Sequence, residues 1–369
     1  MLRFEIKTGS ALTASETAAW SRLLRDGNPA PSPYLEPDYF QAVARARSSA
    51  RVLIGRIGAS EPVLYFPYHR AGLTGAVGLG HAIGGPISDV QGVIAQPGLA
   101  VAPETVMQAA GLALLPLSHV PATDPVFRPP SSRATGTDRH AFHVIDLADG
   151  FAAYEAARTP FAKSAFKGIR TRQAKAESQF GAVTHRFRDD DAASLEDLLA
   201  WKRQQFAATG QVNVLEVGWV RALIDDLRRR PAGLRVQISS LWFGDRRVAV
   251  HLGLRTATTL HYWFPAYDAA VQELSPGNLL LYRMAEEAAR DGVRQIHLGA
   301  GEYRYKLEFA NCAVPMRSMI ATAPGLTGRM AASGRRAIEA LGRSLPQRLA
   351  PIPSGVFRRL DRHLGFTAL

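Results

Sequence analysis

At 369 residues, with 47% hydrophobic and 21% charged residues, the chain has the composition of a globular protein large enough for two ordinary domains. No apolar run reaches the roughly 18 residues that span a bilayer, and the start Met1-Leu2-Arg3-Phe4-Glu5 lacks an apolar signal core, so neither a membrane span nor secretion is expected. The net charge of +12 sits mostly on arginines spread along the chain, with no zinc, RRM or homeodomain signature, so nucleic acid is not the expected partner.

A solvated basic surface, an acidic small ligand or an anionic membrane face each accounts for that charge. The single cysteine, Cys312, excludes an internal disulfide, fits a reducing compartment, and has no nucleophile motif around it.

Residues 1–150 read as a mixed α/β domain. Ala14–Arg25 and Pro37–Arg47 have helical patterning, and Arg51–Ile57 and Val63–His69 form a strand pair across a Gly-Ala-Ser turn. The glycine-rich stretch Gly72–Pro86 lacks a phosphate-loop pattern, and Pro121–Arg139 reads as a surface loop before a strand at His143–Leu147. Residues 151–188 read as a basic junction: a helix Phe151–Thr159, a break at Pro160, and a second helix Ser164–Phe180 carrying Lys167, Arg170, Arg172 and Lys175, with Lys163 just before it and Gly181 at its C-cap.

Residues 183–324 are more legible. Helices are expected over Asp191–Gly210 and Gly218–Arg230, then a hairpin Leu234–Phe243 and Arg247–Arg255 around Gly244-Asp245, and a strand Thr258–Phe264. After a loop, Ser275-Pro276-Gly277 opens a helix Asn278–Arg290, followed by a strand Arg294–Leu298 and a turn Gly299-Ala300-Gly301. Serine suits an N-cap, proline suits the first helical turn, and Gly277 permits close approach of a ligand to the backbone. A helix start of this kind presents free N–H groups and partial positive charge to a phosphate. The tail 325–369 has many arginines, few acids and several prolines, which suits short packed helices or contact with an anionic membrane face.

The run AYD…LSPGNLLLYRMAEEAARDG, a strand, then GAGEYRYKLEF resembles the GNAT-like CelD-type acetyltransferases of cellulose biosynthesis, which are similar to the Fem aminoacyl transferases. The segments FKGIRTRQAKAESQFG and PYLEPDYF…LYFPYHR…ISDVQG carry the likeness across most of residues 30–315. One departure is His297, in Ile296-His297-Leu298-Gly299, where the family has an acidic strand; a histidine there is either a structural group or a base titrating near neutrality.

The resemblance implies an α/β (α+β) fold of tandem GNAT-like domains with mixed central sheets, the first half a degenerate copy. It implies transfer of an acetyl or other acyl group from acetyl-CoA or another acyl-CoA to an amine, without a metal. On it, Tyr267, Asp268, Glu302 and Tyr305 are the catalytic candidates, and Ser275, Gly277, Asn278, Leu279 and Trp263 the acyl-CoA contacts. Lys306, Lys202, Gln205, Asp89 and His297 are the candidates for the acceptor, expected to be an amino sugar of an exopolysaccharide or its lipid-linked precursor. The setting implied is cytoplasmic, with peripheral contact at the inner membrane through the tail. Two other readings stay open: an aminoacyl-tRNA-dependent Fem-like transferase, although no coiled-coil insertion is evident, and a non-catalytic partner of a polysaccharide synthase.

Overall fold

The computed structural model describes residues 2–27, 32–70, 75–127 and 135–325. Most of the basic tail therefore lies outside the described residues, as do 71–74 of the glycine-rich stretch and 128–134 of the expected loop. The chain divides into two compact units, one of residues 1–140 with the segment from Pro315, the other Ala141–Val314.

The first unit holds β1 (Leu2–Lys7), α1 (Ala14–Gly27), α2 (Pro37–Ala46), β2 (Ala50–Ile57), β3 (Pro62–His69), β4 (His81–Ala82), β5 (Ile94–Ala95), α3 (Pro103–Ala109) and β6 (Leu114–Pro121). Its sheet runs β1-β2-β3-β4, with β5 also on β3. The antiparallel β2–β3 hairpin was legible in the sequence. β3 is buried along its whole length because both faces are covered. On one, Trp20 of α1 stacks on Tyr65 at 4.7 Å; on the other, Leu64 and Phe66 pack with Val106 and Met107 of α3. β6 pairs antiparallel with β13 (Cys312–Thr322) through Met316–Thr322.

In the second unit the sheet order is β7 (Thr135–Asp146, here from Ala141), β12 (Gln295–Ala300), β11 (Thr259–Tyr267), β10 (Arg246–Arg255), β9 (Arg235–Phe243) and β8 (Val183–Arg186). The expected loop to Arg139 is thus shorter than read, since β7 begins at Thr135. Neighbours are antiparallel except β11 and β12. The β9–β10 turn needs Gly244: its φ is +56°, and a Cβ there would lie 2.1 Å from the Phe180 carbonyl oxygen.

Five helices complete the unit: α4 (Phe151–Phe180), α5 (Ala192–Thr209), α6 (Gly218–Arg228), α7 (Pro276–Arg290) and α8 (Arg304–Phe309). The expected break in α4 appears as a kink, Ala162 leaving helical geometry two residues after Pro160. α4 is more than a connector. Tyr154, Phe166, Ile169 and Ala176 enter the same core as Leu279–Leu281 and Met284 of α7 and Phe309 of α8, and the Tyr154 hydroxyl donates to the Phe309 carbonyl at 2.7 Å.

Candidate active site

The site begins with a parting of strands. β11 and β12 pair in parallel only at Thr259–Gln295, Leu260–Ile296 and His261–His297. Beyond that point β11 stays with β10 as far as Tyr267, whereas β12 stays with β7 as far as Ala300. Irregular register between Leu252 and Leu254 on β10, and between His297 and Gly299 on β12, accompanies the divergence. Backbone groups of β11 from Tyr262 onward that would have met β12 therefore face a wedge-shaped gap, with alternate N–H groups pointing into it.

After β11 the chain makes a 3₁₀ turn and enters α7. Ser275 occupies the N-cap position with φ 50° and ψ 54°, the one non-glycine residue at positive φ among the described residues. Its side chain makes no capping hydrogen bond. The serine thus departs from the expected side-chain cap: its carbonyl accepts the Asn278 and Leu279 N–H groups, both at 3.1 Å, while a left-handed backbone costs about 1–2 kcal/mol. Strain of this kind collects at binding sites. Pro276 has no N–H to offer, and Gly277 lies too early in the helix for an i–4 partner.

A cleft of about 370 Å³ opens at this helix start, lined by Ser275 and Asn278 of α7, Ser164, Ala165 and Arg172 of α4, and Arg304, Tyr305 and Glu308 of α8. Arg172 is the informative residue. Its guanidinium folds back over Gly168, where a Cβ would lie 3.0 Å from Nη2, and its Nε is buried without a hydrogen-bond partner. The neighbouring Arg170 is paired with Glu155 at 2.6 Å and Arg304 with Glu308 at 2.7 Å, but Arg172 has no acid among the described residues. A cation and a helix N-terminus converging on one cleft suit an anion such as a pyrophosphate.

The structure brings Ser275, Asn278 and Tyr305 together in this cleft and sets the Tyr267 ring beside Gly277, 3.4 Å from where a Cβ would stand. Leu279 is different: its side chain is fully buried in the core and its N–H is already bonded, so it offers a ligand nothing. Asp268 caps the next turn through Ala270 N–H at 2.9 Å and pairs with Arg246 at 2.5 Å. Trp263 lies past the strand divergence, its ring 4.7 Å from that of Phe264.

At the far side of the gap Lys306 is buried, donates to the Ala300 carbonyl at 2.5 Å and sits over the Tyr303 ring. That contact ties the ammonium to the end of β12. Next to it stands His143, opposite Gly299 in the β7–β12 pairing, with Nε2 buried and unbonded. Burial first, then the Lys306 charge, lowers its pKa, against the pull of exposed Glu302. His143 is therefore a neutral imidazole near pH 7. His297, by contrast, is wholly enclosed by Phe142, His261 and Gln295, and burial lowers its pKa to about 3, so it does not titrate near neutrality.

Lys202 and Gln205 are together on α5, Nζ to Oε1 at 2.9 Å. Lys202 is 7% exposed, and burial lowers its pKa to about 8. Between about pH 8 and the unperturbed 10.5 the unfolded chain holds the proton that the folded chain has lost, so folding stability should rise with pH there, by up to about 3 kcal/mol. Denaturant midpoints across pH 8–10 should show a rise in the wild type that Lys202→Met removes; parallel curves for the two proteins would contradict this assignment. Asp89 belongs to the first unit, where its charge raises the pKa values of buried Tyr34 and Tyr39, after burial itself, and where the Tyr39 hydroxyl meets Ser88 Oγ at 2.8 Å.

Sequence reasoning missed Arg172 as a ligand group and overlooked His143. The first was visible only as one of four cations on a basic helix, and the second carried no motif.

A parted pair of parallel strands, with a helix start facing the gap, is the architecture of a GNAT fold. Residues 163–307 match the family described as Acetyltransferase (GNAT) domain, so the second unit carries a GNAT-type acetyltransferase domain, an enzyme domain. Among solved structures, FemX aligns over 88% of this chain and 98% of its own at 7% identity with a TM-score of 0.57, a likeness of fold. A tandem GNAT protein from the clavulanic acid biosynthesis pathway (12% identity, 88% and 100% covered, TM-score 0.48) and a GCN5-related N-acetyltransferase from Kribbella flavida (12%, 86% and 98%, 0.40) align less well. No curated protein matches the sequence. Among the described residues, no helix is long and apolar enough to cross a membrane.

Proposed function

We propose that the chain transfers an acetyl or other acyl group from acyl-CoA to an amine, at the gap between β11 and β12. The observation that carries this reading is the cleft at the start of α7, where Arg172 has no counter-ion among the described residues and the Gly277 N–H, with the positive end of the helix dipole, is open to a pyrophosphate. The acyl carbonyl would lie in the gap, its oxygen against the exposed N–H groups of β11. The amine nitrogen attacks the thioester carbon, the C–S bond breaks, and the amine gives up a proton. Neutral His143, beside the end of β12, accepts that proton directly or through water, and the Tyr305 phenol in the cleft protonates the departing thiolate.

The acceptor class rests on the CelD-type resemblance: an amino sugar of an exopolysaccharide or of its lipid-linked precursor, modified on the cytoplasmic side where acyl-CoA is made. Arg172→Gln should weaken acetyl-CoA binding roughly ten- to hundredfold, the loss of one charge-assisted contact of about 1.5–3 kcal/mol. Isothermal titration checks it. Equal affinity in the variant would remove Arg172 from the site, and transfer from aminoacyl-tRNA without acyl-CoA binding would replace this reading with a Fem-like one.

A further inference from the structure

A second cavity, of about 390 Å³, lies in the same unit where α6 ends and β9 begins. Arg188, Arg228, Arg229, Arg230 and Arg235 line it, against Asp189 and Asp190. Asp189 is buried and its carboxylate is held by the Ser194 and Ser240 hydroxyls, so the lining sets two acids against five arginines. Arg188 is held by Asp291, the residue that ends α7, and the buried Arg255 shares that same carboxylate at 2.8 Å. Among the described residues Arg228, Arg229 and Arg235 have no acidic partner. Arg230 is paired with Asp226 at 3.3 Å. One cation near the end of α6 would complement the helix dipole; Arg228 and Arg229 together, lining one cavity with Arg188 and Arg235, exceed that need.

Two further details bear on the chemistry of a ligand here. Arg255 has its pKa lowered by burial first, and, despite Asp291, by the charges of Arg235 and Arg188. Gln237, 5% exposed and lining the cavity, donates through Nε2 to the Phe187 carbonyl and leaves Oε1 buried without a partner, an acceptor for a hydroxyl. The acyl-CoA cleft is at the other end of α7, whose 15 residues span about 22 Å. The two cavities are separate sites.

We propose that this arginine cavity binds a phosphate ester whose alcohol part carries a hydroxyl, either as a soluble metabolite or as a lipid headgroup. The guanidiniums take the phosphate oxygens, and Gln237 Oε1 accepts the hydroxyl. The proposal goes beyond acyl transfer and does not rest on it.

The test titrates glycerol 3-phosphate into the full chain by calorimetry, in an Arg172→Gln background that silences the other anion cleft. It is paired with co-sedimentation on phosphatidylcholine vesicles with and without phosphatidylglycerol. Binding should weaken at least about tenfold in Arg228→Gln/Arg229→Gln/Arg235→Gln. A control neutralising three exposed arginines elsewhere, Arg3, Arg22 and Arg203, should bind as before. Because Arg235 is partly buried, Arg228→Gln/Arg229→Gln alone serves if the triple variant misfolds, again with weakened binding expected. Binding to glycerol 3-phosphate supports a soluble ligand, and retention only on phosphatidylglycerol vesicles supports a lipid headgroup, provided either is lost in the cavity variant. Equal losses in cavity and control variants, absence of binding to both probes, or binding only to unstructured RNA with a steep salt dependence would overturn the proposal.

Discussion

Gly277→Asp is expected to weaken acetyl-CoA binding by about a hundredfold, close to 3 kcal/mol, while leaving the unfolding midpoint unchanged or slightly raised. The two effects have opposite signs for a physical reason. A carboxylate in the first turn of α7 interacts favourably with the helix dipole and helps the fold. A Cβ at Gly277 meets only the Tyr267 ring, at ordinary contact distance, so nothing must move. The same carboxylate stands where the pyrophosphate would lie, and replaces an attraction by like-charge repulsion. Gly277→Ala is the matched control and should retain most of the affinity. If Gly277→Asp bound acetyl-CoA as the wild type does, the helix start would not be the phosphate site.

Phe166→Ala should destabilise the second unit by about 3–5 kcal/mol, the usual cost of removing a buried phenylalanine. Phe166 is 2% exposed, with the rings of Tyr282 and Phe309 at 5.6 and 5.7 Å and that of Tyr154 at 6.4 Å, so it joins α4 to α7 and α8. Deleting it leaves a void bounded by three helices, and the kink at Ala162 limits how far α4 can collapse into it. The expected readout is a lower urea midpoint at unchanged slope. Acetyl-CoA affinity should fall as well, since Ser164 and Arg172 are carried by the same helix. A shift below about 1 kcal/mol would show α4 to be a loosely attached connector, as its charge pattern alone suggests.

The hairpin β9–β10, the strand β11 and the helix α7 were legible because each is announced by local chemistry: Gly244-Asp245 at the turn, apolar runs in the strands, and Ser-Pro-Gly before a helical pattern. β1 and β13 were not read, since they lie at the two ends of the described chain, between segments with no turn signal of their own. The junction helix was read by its cations. Its packing face was not, because Tyr154, Phe166, Ile169 and Ala176 are distributed across a kink and do not make one continuous stripe.

Within the site, residue type alone could not separate committed side chains from available ones. Asp268 follows an aromatic strand, and only the structure shows its oxygens holding Ala270 N–H and Arg246. Lys306 is a bare cation in the sequence, and only the structure shows its ammonium on the Ala300 carbonyl. Arg172 has the reverse history: in sequence it is equivalent to Arg170, and only the position of Glu155, which also accepts from the Tyr282 hydroxyl, leaves one arginine paired and the other open to a ligand.

Calorimetric titration of the intact protein with acetyl-CoA addresses the acyl-CoA site most directly. Saturable binding with a dissociation constant in the micromolar range or tighter, about −8 kcal/mol, is the expected result. No binding of acetyl-CoA or of longer acyl-CoAs would contradict the assignment of the α7 cleft and leave the GNAT domain of this chain to a different acyl donor.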